Sequence, residues 1–306
     1  MVVVGADGFI GQAFLEAMKK PGDVLPMDIV NWEVTAVDNW ENVPADHEYD
    51  VIINCTIGLP ESVRRNGRAL FADLPKSSVQ PRVVHLSSMT VYGAAVGNLN
   101  EQTPLTAELG PYASAQLEIE IAASGYANAV ILRPGVEYGP ACPHWSGRIA
   151  QLLRAGRLGN LGAAGNGLCN LLYIDDLLRA IWRAATLPDV GGMALNLASG
   201  RALSWNTYFT EFAAALGLPN VAVISGGRLQ CERYLLAVPL KALEIVTRKL
   251  GLNTDRVPQP ITPSFLRSCV LNQELDVSAA ERVLGLRWTP FSEGLRLAAD
   301  YYRSGG

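Results

Sequence analysis

Five short runs of mostly β-branched residues recur through the first half of the chain, Val2–Gly5, Glu33–Val37, Asp50–Cys55, Arg82–Ser88 and Ala129–Gly135, and helical stretches lie between them. Apolar runs of this length, without strict alternation, read as strands buried on both faces. Their rhythm predicts an α/β domain with a doubly wound parallel sheet. After Arg133-Pro134-Gly135 the texture changes to loops punctuated by glycine and proline, with long helical stretches at Tyr208–Leu216 and Arg233–Leu250. The expected division is a nucleotide-binding domain over 1–135 and a smaller, mostly helical substrate-binding domain over 136–306. Two segments near 168–200, "NLLYIDDLLRAIWRAA" and "ALNLAS", are expected to return to the first domain. The tail reads as two short amphipathic helices around a Trp-Thr-Pro turn.

With 306 residues, 49% of them hydrophobic, the chain can bury a full core, so disorder is excluded. A net charge of -4 without a basic run leaves no electrostatic footprint for nucleic acid or an anionic membrane, which points to a small-molecule partner. The five cysteines form no Cys-x-x-Cys pair and suggest neither a disulfide framework nor a metal site. No apolar run approaches the ~18 residues of a membrane span and the start lacks a charged leader, so the expected location is cytoplasmic.

The sharpest chemical signal is "VVVGADGFIG". Gly5, Gly8 and Gly11 follow an apolar strand and open a helix, with Asp7, Phe9 and Ile10 between and beside them. Small residues there let the backbone approach a pyrophosphate, whose charge is met by amide groups at the helix N-terminus. An acidic residue roughly 20 positions on, closing the second strand, would accept the adenosine ribose hydroxyls. Asp28 stands at that distance, and no arginine follows it, which favours NAD over NADP. Asp38, after the next strand, reads either as facing the adenine or as a helix cap. Cys55 and Thr56 are expected to border the cofactor.

Together with "LSSMTVYG", "PYASAQ", "LRPGVEYGP" and "LLYIDDLLRA", these residues resemble the extended short-chain dehydrogenase/reductase superfamily, the NAD-dependent epimerase/dehydratase group, over nearly the whole chain. The resemblance implies a Rossmann domain, a bound nicotinamide cofactor, and a catalytic set of Ser or Thr, Tyr and Lys. Carried over by position, Ser88 and Tyr112 match the serine and tyrosine, while the lysine position holds Gln116. Arg133 and Pro134 would lie along the cofactor. Met89 and Thr90 fall where sugar 4,6-dehydratases carry an acidic pair. Val136 and Cys169 fall where an asparagine and an arginine hold a nucleotide-sugar diphosphate, so both of those chemistries are disfavoured. A homodimer through helices around Ala69 and Ala115 is also implied.

Gln116 changes the mechanism. A phenol holds its proton until pH ~10, and a neighbouring ammonium lowers that by ~1–3 units. An amide can hydrogen-bond but brings no charge. Four readings remain open. Tyr112 serves as proton donor in a reductase; the site performs a non-redox dehydration, elimination or isomerisation with Glu137 or His144 as base; catalysis has been lost; or the glutamine is an introduced change that traps a complex. The favoured reading is an NAD(H)-dependent enzyme acting on a secondary alcohol or ketone of a small biosynthetic intermediate, sugar-like or apolar and cyclic. A nucleotide-sugar epimerase or reductase is kept as an alternative. Candidate substrate-lining residues are Ser88, Met89, Thr90, Val136, Glu137, Tyr138, Cys142, His144, Trp145 and Cys169, with Leu235, Leu236 and Val238. His85 reads as a buried structural residue, and Asp175 and Asp176 as a helix start.

Overall fold

The computed structural model describes residues 1–44, 48–74, 80–200, 202–219, 221–232, 239–240, 242–243, 246–247 and 259–305. The expected helix over Arg233–Leu250, with Leu235, Leu236 and Val238, lies for the most part outside them. The chain divides into two compact units, Met1–Glu137 with Leu171–Gly200 and Leu275–Pro290, and Tyr138–Asn170 with Arg201–Glu274 and Phe291–Gly306. Leu275–Pro290 also belongs to the first unit, because Leu275 and Val277 pack with Tyr92, Leu99 and Ala198 in a small apolar cluster.

The first unit is built on six parallel strands, β1 (Val2–Val4), β2 (Thr35–Val37), β3 (Val51–Asn54), β4 (Arg82–Leu86), β5 (Ala129–Pro134) and β6 (Ala194–Leu197), in the order β6-β5-β4-β3-β1-β2. Helices α1 (Phe9–Met18), α2 (Pro60–Asp73), α3 (Pro111–Ala123) and α5 (Ile174–Thr186) cover it; α4 (Arg148–Arg154) belongs to the second unit. Val2, Val4, Ile52, Val83, Ala129 and Ile131 form one core with Val63, Leu70 and Phe71 of α2 and Ala115, Ile119 and Ala123 of α3. These strand residues share one face of the sheet because partners across a register and alternate positions along a strand point the same way. The same row carries Asn54 opposite His85, at the strand ends beneath α3.

α3 begins after Gly110, whose φ of +116° suits glycine, and Pro111 occupies its first turn. Tyr112, Gln116 and Glu120 recur at a helical spacing of four, so all three fall on one face. Gln116 is wholly buried and Glu120 nearly so. Glu120 meets Arg133 of β5 in a bidentate ion pair at 2.6 Å and also accepts from Ser87. Arg133 donates further to the Tyr92 hydroxyl, which bonds Asn196 of β6. This network joins α3, β4, β5 and β6 by groups that leave no buried charge unpaired.

In the second unit, α6 (Trp205–Ala215) is capped by Ser204 and brings Trp205, Tyr208 and Phe209 against Trp145 and Phe265. Its core is aromatic, and Arg157 pairs with Glu232 beside it.

Candidate active site

The glycine loop sits where β1 and β3 leave the sheet in neighbouring positions while their connections diverge, the crevice at which doubly wound sheets bind ligands. Gly5 has φ +79°, and a Cβ there would lie 2.9 Å from the carbonyl carbon of Cys55 and the nitrogen of Thr56. A Cβ on Gly11 would lie 2.3 Å from the Gly5 oxygen. Gly8 caps α1 without a side chain, and no acidic residue stands in the first turn. Amide groups at this helix start are thus reachable by an anion, and Phe9 and Ile10 anchor the turn behind them, Ile10 fully buried. The Thr56 hydroxyl is buried and lacks a hydrogen-bond partner among the described residues, so it can serve a ligand polar group. These features fit a dinucleotide. Asp7 is exposed, and its carbonyl accepts from Gln12.

Asp28 is not where the spacing put it. It lies exposed in a 3-10 turn, Met27–Asn31, and the strand paired with β1 comes later, at Thr35–Val37. Two prolines and the Gly22 turn lengthen the connection, so the acidic residue that closes β2 is Asp38, exposed at the strand end. Cys55 is buried, its thiol pushed up to about 12 by burial, and it contributes backbone rather than chemistry. Arg133 is also reassigned. The residue is 4% exposed and its guanidinium is committed to Glu120 and Tyr92, which makes it a structural cation within the core, and Pro134 ends β5 beside it, buried.

Ser88 follows β4 and caps the short turn Met89–Val91, its Oγ accepting from Thr90 N at 3.2 Å. The turn that Ser88 caps packs on α3, the helix that carries Tyr112. Thr90 Oγ1 is buried without a hydrogen-bond partner among the described residues. The Tyr112 hydroxyl accepts from Gln116 Nε2 at 3.0 Å. Burial pushes the phenol up to about 12; the Gln116 bond pulls it back and the Glu137 carboxylate adds to the rise. At that value about one phenol in 10⁵ is ionised at pH 7. Glu137, on the strand Val136–Tyr138, is itself raised to about 7 by burial. Two proton-bearing groups, one neutral and one titrating near neutrality, therefore act on each other.

Two polar residues stand on the strands behind this pair, His85, expected to be buried, and Asn54, which sequence reasoning did not single out. His85 on β4 is fully buried, lowered to about 4 by burial, and its Nδ1 lies 3.2 Å from Asn54 Nδ2. A histidine and an asparagine interrupting otherwise apolar strands were the available signal.

Val136 is buried beside Glu137 in the first unit. The remaining candidates belong to the second. Tyr138 is wholly buried between the rings of Tyr208 and Phe291, and Trp145 stacks on Phe265 while its carbonyl accepts from Tyr208. Tyr138 is thus a core residue of its unit, and Trp145 is half-buried. Cys169 is likewise core, in a ladder with Leu203, its thiol held well above the ordinary range by burial, so it presents no surface to a substrate. Cys142 is buried too, and His144 lies exposed on the turn Pro143–Gly147. Of the two alanines that mark the helices expected at a dimer contact, Ala115 is covered within its own unit and Ala69 is half-buried; the outer faces of α2 and α3 carry Arg64, Arg68 and Glu118 as ion pairs.

A glycine loop at a sheet switch point, with Ser88 beyond β4 and Tyr112 on α3, is the arrangement of a doubly wound nucleotide-binding fold. The family model described as NAD dependent epimerase/dehydratase matches residues 1–198 of 306, and the chain belongs to that family. No curated protein matches the chain. Among solved structures it is similar to UDP-glucose 4-epimerase from Thermotoga maritima with UDP-glucose, at 17% identity and a TM-score of 0.69, covering 99% of this chain and 98% of that one. It is similar to dTDP-glucose 4,6-dehydratase from Bacillus anthracis with NAD, at 16% and 0.68, covering 99% and 96%. A third is human epimerase family protein SDR39U1 with NADPH, at 18% and 0.68, covering 98% of each. At these identities the likeness is one of fold. No helix among the described residues is long and apolar enough to cross a membrane.

Proposed function

We propose that the chain binds NAD(H) at the glycine loop and reduces the ketone of a small biosynthetic intermediate to a secondary alcohol, with Tyr112 as the proton donor. The observation that carries this reading is the Tyr112–Gln116 bond, in which the phenol meets a neutral amide in place of a cation and keeps its proton at neutral pH. A bound nicotinamide supplies the hydride. Ser88 holds the substrate oxygen through its hydroxyl, Tyr112 gives that oxygen its proton, and Gln116 steadies the phenol. Asp38 is proposed to accept the adenosine ribose hydroxyls.

The substrate body is sugar-like or apolar and cyclic. A nucleotide sugar is the alternative that the solved neighbours bring, but Val136 offers no amide for its diphosphate, and Cys169 is neither cationic nor exposed. The second reading, a non-redox elimination or isomerisation, is favoured by Glu137, whose carboxyl titrates near neutrality and acts on Tyr112. Its base would be Glu137.

Deuteride-labelled NADH separates the two, since only the reductase passes the label to product. Tyr112→Phe is expected to cut turnover about 10²–10⁴-fold, and unchanged turnover would remove Tyr112 from the chemistry. Calorimetric titration with NAD⁺, NADH, NADP⁺ and NADPH tests the nucleotide end. Asp38→Ala is expected to weaken NAD⁺ about tenfold and Asp28→Ala to leave it within about twofold, as loss of a charge-assisted bond predicts.

A further inference from the structure

The polar atoms behind Tyr112 form a row whose direction is set by the backbone. Thr56 N–H donates to Asn54 Oδ1 at 3.1 Å. A backbone amide has no second orientation, so Oδ1 is the accepting end of Asn54, and its Nδ2 faces His85 Nδ1 at 3.2 Å. Nδ1 then carries the lone pair, and the neutral ring carries its proton on Nε2. His85 Nε2 and Gln116 Oε1 are both buried without a hydrogen-bond partner among the described residues, and Gln116 is the amide that acts on the ring, raising its basicity. Gln116 Nε2 completes the row by donating to the Tyr112 oxygen at 3.0 Å.

We propose that Asn54 and His85 are positioning residues which, through Gln116, fix Tyr112 as a one-way proton donor: its oxygen accepts from the row, and its hydrogen is left for the substrate. The proposal rests on the reading of Tyr112 as donor. The proton leaves the phenol for the substrate oxygen, and the phenolate that remains is held by the Gln116 N–H, itself polarised by the His85 N–H behind it. Without the row, the Gln116 amide is free to turn its oxygen to Tyr112, and the phenol then spends its hydrogen inward. Around His85 the charged groups are Glu120 of α3 and, through it, Arg133 of β5; α2 presents only the edge of Phe71. The row itself carries no net charge, so it orders direction where a lysine would supply a cation.

Two measurements test this without a substrate. Nitrogen-15 NMR of the unaltered protein labelled at histidine reads the tautomer: between pH 6 and 9 His85 is expected with Nε2 protonated and Nδ1 bare. The opposite tautomer, or a charged ring at pH 7, would overturn the proposal. Asn54→Asp replaces the Nδ2 donor by an acceptor and is expected to move the ring proton to Nδ1; an unmoved proton would also overturn it. For coupling to Tyr112, 3,5-difluorotyrosine at position 112 brings the phenol titration into reach. His85→Phe is expected to raise that pKa by about one unit, tenfold less phenolate, and His85→Gln, which keeps one donor and one acceptor, to restore it. A titration indifferent to both variants counts against the row. The donor reading fails separately: if the tautomer and coupling are as stated and Tyr112→Phe turns over normally, the row stands as architecture and the donor role falls.

Discussion

One face of α3 carries two polar centres a turn apart, and they are built on opposite principles. At Glu120 the helix buries a full charge against Arg133, with Ser87 and Tyr92 taking up the remaining hydrogen-bonding capacity. At Gln116 it buries a neutral amide between Tyr112 and His85. Burial of charge is thus not what this helix avoids. What differs is the counter-charge: the one carboxylate a turn away from position 116 is already saturated by Arg133, so a lysine there would be desolvated without a free partner. The neutral residue suits a site whose phenol must keep its proton.

The comparison breaks most visibly at the charged centre. Glu120→Gln leaves the Arg133 cation buried without its partner and is expected to cost about 3–5 kcal/mol in urea unfolding. Replacing both residues by apolar ones of similar volume should recover most of that loss; if the single variant unfolds like the parent, the ion pair is not what joins α3 to β5. At the neutral centre, Gln116→Lys introduces the missing cation. It is expected to lower the Tyr112 phenol by about 1–3 units, shown by titrating the fluorinated tyrosine, and to raise the rate of alcohol oxidation over that of ketone reduction. An unshifted phenol would mean that burial keeps the new amine neutral.

A smaller effect sharpens the role of Glu137. Its carboxyl is raised from 4.5 to about 7 in the folded chain, so between those values the folded state binds more protons than the unfolded one. Stability contributed by the protonated group is therefore present below pH 4.5 and lost as the pH rises through 7. Glu137→Gln is expected to stabilise the protein by about 1–3 kcal/mol at pH 8 and to change nothing at pH 4, read by thermal unfolding at both. A gain equal at both pH values would show a packing effect instead.

Most of the sheet was legible because inner parallel strands covered on both faces are continuous apolar runs; five of its six strands fall in the five runs of the first half, and the sixth in "ALNLAS". The glycine loop was legible because Gly5 and Gly11 answer to steric needs that no other residue meets, with a milder crowding at Gly8. Asp28 was misplaced because counting from the loop assumes a short connection, whereas the Gly22 turn and the 3-10 turn at Met27–Asn31 push the second strand onward. Arg133 and Glu120 are each ambiguous alone, and only the fold brings their strand and helix together, though the spacing of Tyr112, Gln116 and Glu120 already put the three on one helix face. His85 was read as structural because nothing in a lone strand reveals that its register partner is Asn54.

The first unit is assembled from three separate stretches of chain, the last ending at Pro290. On a ribosome this imposes a waiting time. At about 5–20 residues per second, Leu275 emerges roughly 7–30 s after Glu137, and until then the cluster around Tyr92 and Leu99 has no Leu275 or Val277 to cover it. A nascent chain holding all six of its sheet strands is thus still an unfinished domain, with an apolar patch that either the later segment or a chaperone must cover.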